Sequence, residues 1–146
     1  MQTVRRFDRT GLEILDPGEC LRLLQSVPVG RLVFTQGGLP AVRLVDFSVD
    51  CDTIVFASDD GEKFRAAERG DVVAFEVDDV DLERHLAWTV TSVGHLSVVP
   101  TDEAARLRRV TPLRPWAPLP EQRLIRLGTE SLSGRRLLPW GQPPRS

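Results

Sequence analysis

Short runs of alternating apolar and polar residues, separated by turn-forming residues, recur along most of this chain. Residues 30–35 (GRLVFT) predict a strand, Gly37-Gly38 a permissive hairpin turn and residues 39–49 the returning strand. Asp50-Cys51-Asp52 reads as a second turn, and residues 53–58 (TIVFAS) as a third strand of an antiparallel meander. Further strands are expected at 71–77 (DVVAFEV), at 88–99 (WTVTSVGHLSVV, bending at Gly94) and at 122–127 (QRLIRL). Residues 131–138 extend the sheet.

Three short helices punctuate this pattern. Asp16-Pro17-Gly18-Glu19 is a helix start: Asp16 can cap, Pro17 suits the first turn, and Glu19 can reach back to the cap amide. Pro28 ends the segment. Residues 62–69 form a second helix, with Phe64 and Ala67 on one side and Gly70 as its C-terminal cap. Residues 101–110 form a third, with Thr101 capping and Asp102 and Glu103 at its positive end. Crossovers long enough for a parallel sheet are missing. The expected fold class is therefore mainly β: six or so antiparallel strands in a small closed barrel, with helices at the joints.

The composition is that of one globular domain: 146 residues, 41% hydrophobic and 27% charged. A net charge of -2 argues against a nucleic-acid partner, and no apolar run approaches a membrane span. Cys20 and Cys51 are expected as free thiols of a cytoplasmic protein. Residues 1–14 read as an extended arm, 15–138 as the domain and 139–146 as a tail.

Candidate chemistry is sparse. His85 lies in an acidic loop, and His95 is expected to be a partly buried structural residue in mid-strand. Neither has the companions of a metal site or a hydrolytic triad, so no catalytic or metal-binding residue is assigned. The corner at residues 58–63 is more promising. A strand ends at Ser58, the chain turns at Gly61, and a helix starts beside Lys63, the only lysine. Helix-start amides, a close-approaching glycine, a cation and a hydroxyl together suit phosphate.

The order of segments resembles the split-barrel flavoprotein superfamily that includes pyridoxamine-phosphate oxidase and the nitroimidazole-resistance-type reductases. The segments are DPGECLRLLQSVPVGRLVF, LPAVRLVDFSVD, IVFASDDGEKF, VVAFEVDDVD, AWTVTSVGHLSVV and LIRLGTESLSGRRL, together spanning residues 15–138. The resemblance implies a six-stranded antiparallel split barrel. It also implies a homodimer that holds FMN, or a deazaflavin, in a groove between subunits, and flavin redox chemistry that needs no side-chain nucleophile. By position, Leu44, Val45, Asp46 and Phe47 would line the flavin ring. Ala57 and Ser58 would pass beside the ribityl chain, Lys63 with neighbouring Phe64 would hold the phosphate end, and Trp88 and Thr89 would flank the groove.

Departures from the family pattern cluster at this corner. Relatives tend to read Pro-Val-Asn-Phe where this chain has Leu44-Val45-Asp46-Phe47, which replaces an amide donor by an acid. They often carry Arg-Thr where Ala57-Ser58 stands, so a bidentate phosphate partner is missing. Asp59 and Asp60 add negative charge nearby. A non-catalytic split barrel for another ligand, haem included, is the alternative reading. A partner-binding subunit using the Pro-rich loop around Trp116 is a third.

Overall fold

The computed structural model describes residues 4–58, 61–110 and 123–138. In chain order its elements are β1 (Arg6–Phe7), β2 (Glu13–Ile14), α1 (Pro17–Leu24), β3 (Val29–Gln36), β4 (Leu39–Asp46), β5 (Ser48–Asp50), β6 (Thr53–Ser58), α2 (Glu62–Arg69), β7 (Val72–Asp81), β8 (Leu86–Val98), α3 (Thr101–Val110), β9 (Arg123–Leu127) and β10 (Ser131–Leu137). Every strand pair is antiparallel.

The fold is the mainly β, antiparallel one that the pattern predicts, but two expectations need correction. Ten strands form among the described residues rather than six, and the sheet does not close. Its main path runs β1-β2-β10-β8-β7-β3-β4, with β5, β6 and β9 as a branch that joins at β8. The barrel is split where β8 changes partner: residues 87–93 pair with β10, and residues 96–98 pair with β9. The switch falls at Gly94, where a Cβ would sit 2.2 Å from the Gly128 carbonyl oxygen, so only glycine admits the second sheet so close.

The turns follow the sequence closely. Cys51 and Asp52 both take left-handed backbone angles, as a tight two-residue hairpin requires. The strand expected at 39–49 breaks at Phe47, whose ring turns into the core and meets Phe75 edge-on at 4.9 Å. The acidic run Asp78-Asp79 does not end β7, which continues to Asp81. The N-terminal segment contributes β1 and β2, and β2 pairs with β10.

Alternation builds the core. Leu32, Phe56, Phe75, Val77, Val90, Ile54, Leu96, Ile125 and Leu127 project between the sheets and are all but fully buried. A smaller cluster, Val55, Val99, Ala104, Leu107 and Leu124, seats α3 on the opposite face of β6 and β9. Helix α1 is capped as expected, the Asp16 carboxylate accepting from the Glu19 amide at 2.8 Å. The expected return bond from Glu19 is replaced: its carboxylate accepts from Arg22 and from Arg136 on β10. His95 is also corrected. It is exposed, with Nδ1 2.9 Å from the Gly70 carbonyl oxygen. Its neighbours Gly94 and Leu96 take the inward positions.

Candidate functional site

Strand β6 ends at Ser58, and α2 begins after Gly61. No side chain caps α2: Gly61 is its N-cap, in an extended conformation, with no side-chain hydrogen bond to the first turn. The helix runs to Gly70, whose left-handed backbone stops it as the sequence predicts. Phe64, Ala66 and Ala67 bury one face of α2, leaving half-buried Lys63 at its first turn.

Asp46 ends β4, near enough to Lys63 for the lysine's charge to act on its carboxyl. Its Oδ2 is buried with no hydrogen-bond partner. Burial raises its carboxyl above the ordinary carboxylate range; its own backbone amide and the charge of Lys63 act in the opposite sense. A buried carboxylate oxygen without a donor is costly. A ligand N–H or O–H presented there would relieve that cost.

The sequence-predicted residues divide by strand face. Val45 and Phe47 are core residues, so any contact they make with a ligand is through their backbone. Leu44 and Asp46 share the outer face, and Leu44 is 63% exposed. Ser58 is buried and shares its face with Phe56 and Ile54, whereas Ala57 turns the other way, against the α3 cluster. Phe64 belongs to the main core. Asp59 and Asp60 lie outside the described residues, as do Trp116 with its loop and the residues of the expected tail.

Trp88 and Thr89 are not brought to the corner. They lie near the hairpin end of β8, opposite Asp79 and Asp78. Trp88 packs partly on the core. Thr89 donates from its hydroxyl to Glu76 at 3.1 Å. Strands β7 and β3 separate β8 from β4, about 14 Å at roughly 4.8 Å per strand step. Between them, Arg31 donates to both Glu76 and Asp78, at 3.0 and 2.8 Å. Burial and the neighbouring Asp78 raise the carboxyl of Glu76.

Sequence reasoning misses Arg123. Strand β9 pairs Arg123 with Ser58, and the Arg123 guanidinium lies 4.7 Å from the centre of the Phe64 ring. Nothing local in QRLIRL marks this residue as part of the corner; only the cross-strand register does.

Residues 16–136 match the family model described as pyridoxamine 5'-phosphate oxidase. The chain is 35% identical over 136 residues to the uncharacterized protein Rv0080 of Mycobacterium tuberculosis, covering 89% of this chain and 88% of that one. A Corynebacterium glutamicum crystal structure, provisionally named a pyridoxamine 5'-phosphate oxidase, superposes with a TM-score of 0.76 at 27% identity, covering 87% of this chain and 98% of that one. The FAD binding protein of Mycobacterium smegmatis superposes with a TM-score of 0.72 at 30% identity, covering 85% and 98%. Together with the split antiparallel barrel and its strand–turn–helix corner, these matches place the chain in the pyridoxamine 5'-phosphate oxidase-like split-barrel family.

Proposed function

We propose that this chain binds a flavin nucleotide and serves as a flavin-dependent oxidoreductase. The carrying observation is the α2 corner: a helix start without a side-chain cap, Lys63 in its first turn, and the unsatisfied Oδ2 of Asp46, whose carboxyl feels the Lys63 charge. The amides and Lys63 would hold phosphate, and Asp46 would accept from an N–H or O–H of the ring or ribityl chain. A bound flavin supplies the hydride chemistry; these side chains bind and orient it. FMN is the form expected from the resemblance, and the Mycobacterium smegmatis relative carries FAD in its name.

Two copies would share the groove. The apolar row Val42, Val33, Ala74 and Val93 crosses four strands of the outer face, flanked by exposed Leu44. A second copy laid on this face would bring its own Trp88 and Thr89 towards the corner, which one chain does not achieve. The two cysteines are free thiols, in keeping with a cytoplasmic setting.

Titration with FMN and with FAD, followed by flavin fluorescence, tests the reading. Lys63→Ala is expected to weaken the bound form about tenfold, as loss of a charged phosphate contact does, with an unchanged melting temperature. Wild-type protein that ignores both flavins would refute it. Sedimentation at micromolar concentration tests the shared groove, and a monomer would count against it.

A further inference from the structure

The outer face of the main sheet has a charged centre beside its apolar row. Arg31 on β3, Glu76 and Asp78 on β7, and Thr89 and Thr91 on β8 share a strand face with Val33, Ala74 and Val93. One guanidinium nitrogen serves two carboxylates: Arg31 Nη1 donates to Glu76 Oε1 at 3.0 Å and to Asp78 Oδ2 at 2.8 Å. The Thr89 hydroxyl donates to the other Glu76 oxygen at 3.1 Å. The flanking strands add no free cation among the described residues. On β10, Ser133 stands beyond Thr91, and Arg135 beyond Thr89 is held by Asp8 at 3.0 Å. On β4, Leu44 stands beside Arg31, and Asp46 ends the strand. One positive charge therefore faces two negative ones at the centre of this face.

The face is large enough to be covered by another chain. Five strands, β4, β3, β7, β8 and β10, at roughly 4.8 Å spacing, with about seven residues of roughly 3.4 Å rise, span about 600 Å² before side-chain relief is added. A stable contact covers about 800 Å² on each partner. In a two-fold contact the same patch meets itself, so two copies bring two such centres, each with a surplus carboxylate, into one covered layer. Burying an unpaired carboxylate is costly, and a proton taken up by Glu76 or Asp78 removes the surplus. Burial first, and then neighbouring Asp78, already hold the Glu76 carboxyl above the ordinary range in the single chain, where the side chain is still 28% exposed. Covering the face raises it further, so association takes up protons and tightens as pH falls. A partner that brought its own cation would need no such proton.

We propose that the outer face is a contact between two copies of this chain, and that a proton held by the Glu76–Asp78 pair against Arg31 controls its strength. This rests on the shared face of the groove argued above, and adds to it a dependence on acidity that flavin binding does not require.

Sedimentation of the full chain without added flavin, in about 0.15 M salt to screen long-range repulsion, measures the dimer dissociation constant between about pH 7.5 and about pH 5.5. Wild type is expected to tighten by about tenfold or more across that range. Glu76→Gln keeps the shape and supplies a neutral amide that can donate to Asp78. It is expected to dimerise at the higher pH as tightly as wild type at the lower, with most of the dependence lost. His95→Gln and Glu83→Gln are expected to keep the dependence. His95 is the one titratable residue of β8, and Glu83 is an exposed carboxylate of the β7–β8 turn whose loss changes the net charge equally. A dimer whose constant does not move with pH, or a control that loses the dependence as fully as Glu76→Gln, would overturn the proposal and leave the shared face standing. A wild-type monomer at every pH would overturn both. Thermal melts establish that Glu76→Gln is folded; should it not be, Asp78→Asn carries the same expectation.

Discussion

The two helices at the ends of the strand system meet their surroundings in opposite ways. At α1 the helix start is closed: Asp16 takes the Glu19 amide, and Glu19 is held by Arg22 and Arg136, which keep its carboxyl below the ordinary range. A cavity of about 360 Å³ opens there, lined by Arg5, Glu13, Asp16, Glu19 and Arg136 among others. Its charges answer one another. Glu13 Oε2 lacks a hydrogen bond but lies 3.6 Å from an Arg136 nitrogen. At α2 the start carries no side-chain cap, and Asp46 Oδ2 has no donor. Space alone therefore does not mark a site. The α1 end has room and balanced charge, whereas the α2 end has polar groups with work left to do.

Breaking the closed end should produce the largest effect. Gly134 on β10 lies under α1, where a Cβ would meet the Cys20 sulfur at 2.7 Å and the Thr89 carbonyl oxygen at 3.2 Å. Gly134→Ala is expected to destabilise the fold by about 1–3 kcal/mol, measured by urea denaturation. Flavin affinity at 25 °C should change little if the two ends are as separate as their chemistry.

Exchanging the caps is the next sharpening. Asp16→Ala should cost about 1 kcal/mol of stability, and Gly61→Asp should add no more than a few tenths. The binding effects should run the other way. Gly61→Asp fills the open amides and adds negative charge, so FMN binding should weaken, while Asp16→Ala leaves it intact. Equal flavin affinity in both variants would erase the distinction between the two ends.

The smallest effect concerns Asp46. A carboxyl whose folded pKa lies above its unfolded one carries no penalty when protonated in both states. Stability then falls as pH rises through the unfolded and folded values, and is level above them. Asp46→Asn removes that penalty, so its melting temperature should exceed wild type at pH 7 by about one to two degrees. The difference should vanish near pH 3. A variant no more stable than wild type at pH 7 would show that Asp46 has found a partner in solution.

How much of this was readable beforehand depended on whether the signal was local. The helix start at Asp16-Pro17, the hairpin glycines and the end of α2 at Gly70 each rest on residues adjacent in sequence, and each forms where expected; at the expected bend, Gly94, β8 changes its pairing partner. The strands of the N-terminal segment are two residues long and exist because β10 offers a partner about 120 positions away. No local pattern could show them. The break at Phe47 is set by a ring from β7. At the candidate site, Lys63, Gly61 and Ser58 are legible because they lie within six positions of one another in sequence. Which face position 57 takes is set by strand alternation in β6, against the α3 cluster, and is hidden in the sequence. The approach of Arg123 to Ser58 and the Phe64 ring appears only with β6 and β9 in register.

Strand β8 carries one further consequence. It is hydrogen-bonded to β7 along most of its length, to β10 in its first half and to β9 in its last residues. Side chains on a strand alternate, so a slip of one residue would exchange inside for outside. Here that error could not stay local. Val90 and Leu96 would both leave the core, and the Gly94 opening would no longer face Gly128. One strand thus acts as a common ruler for both halves of the barrel, and misalignment in either half is penalised in both.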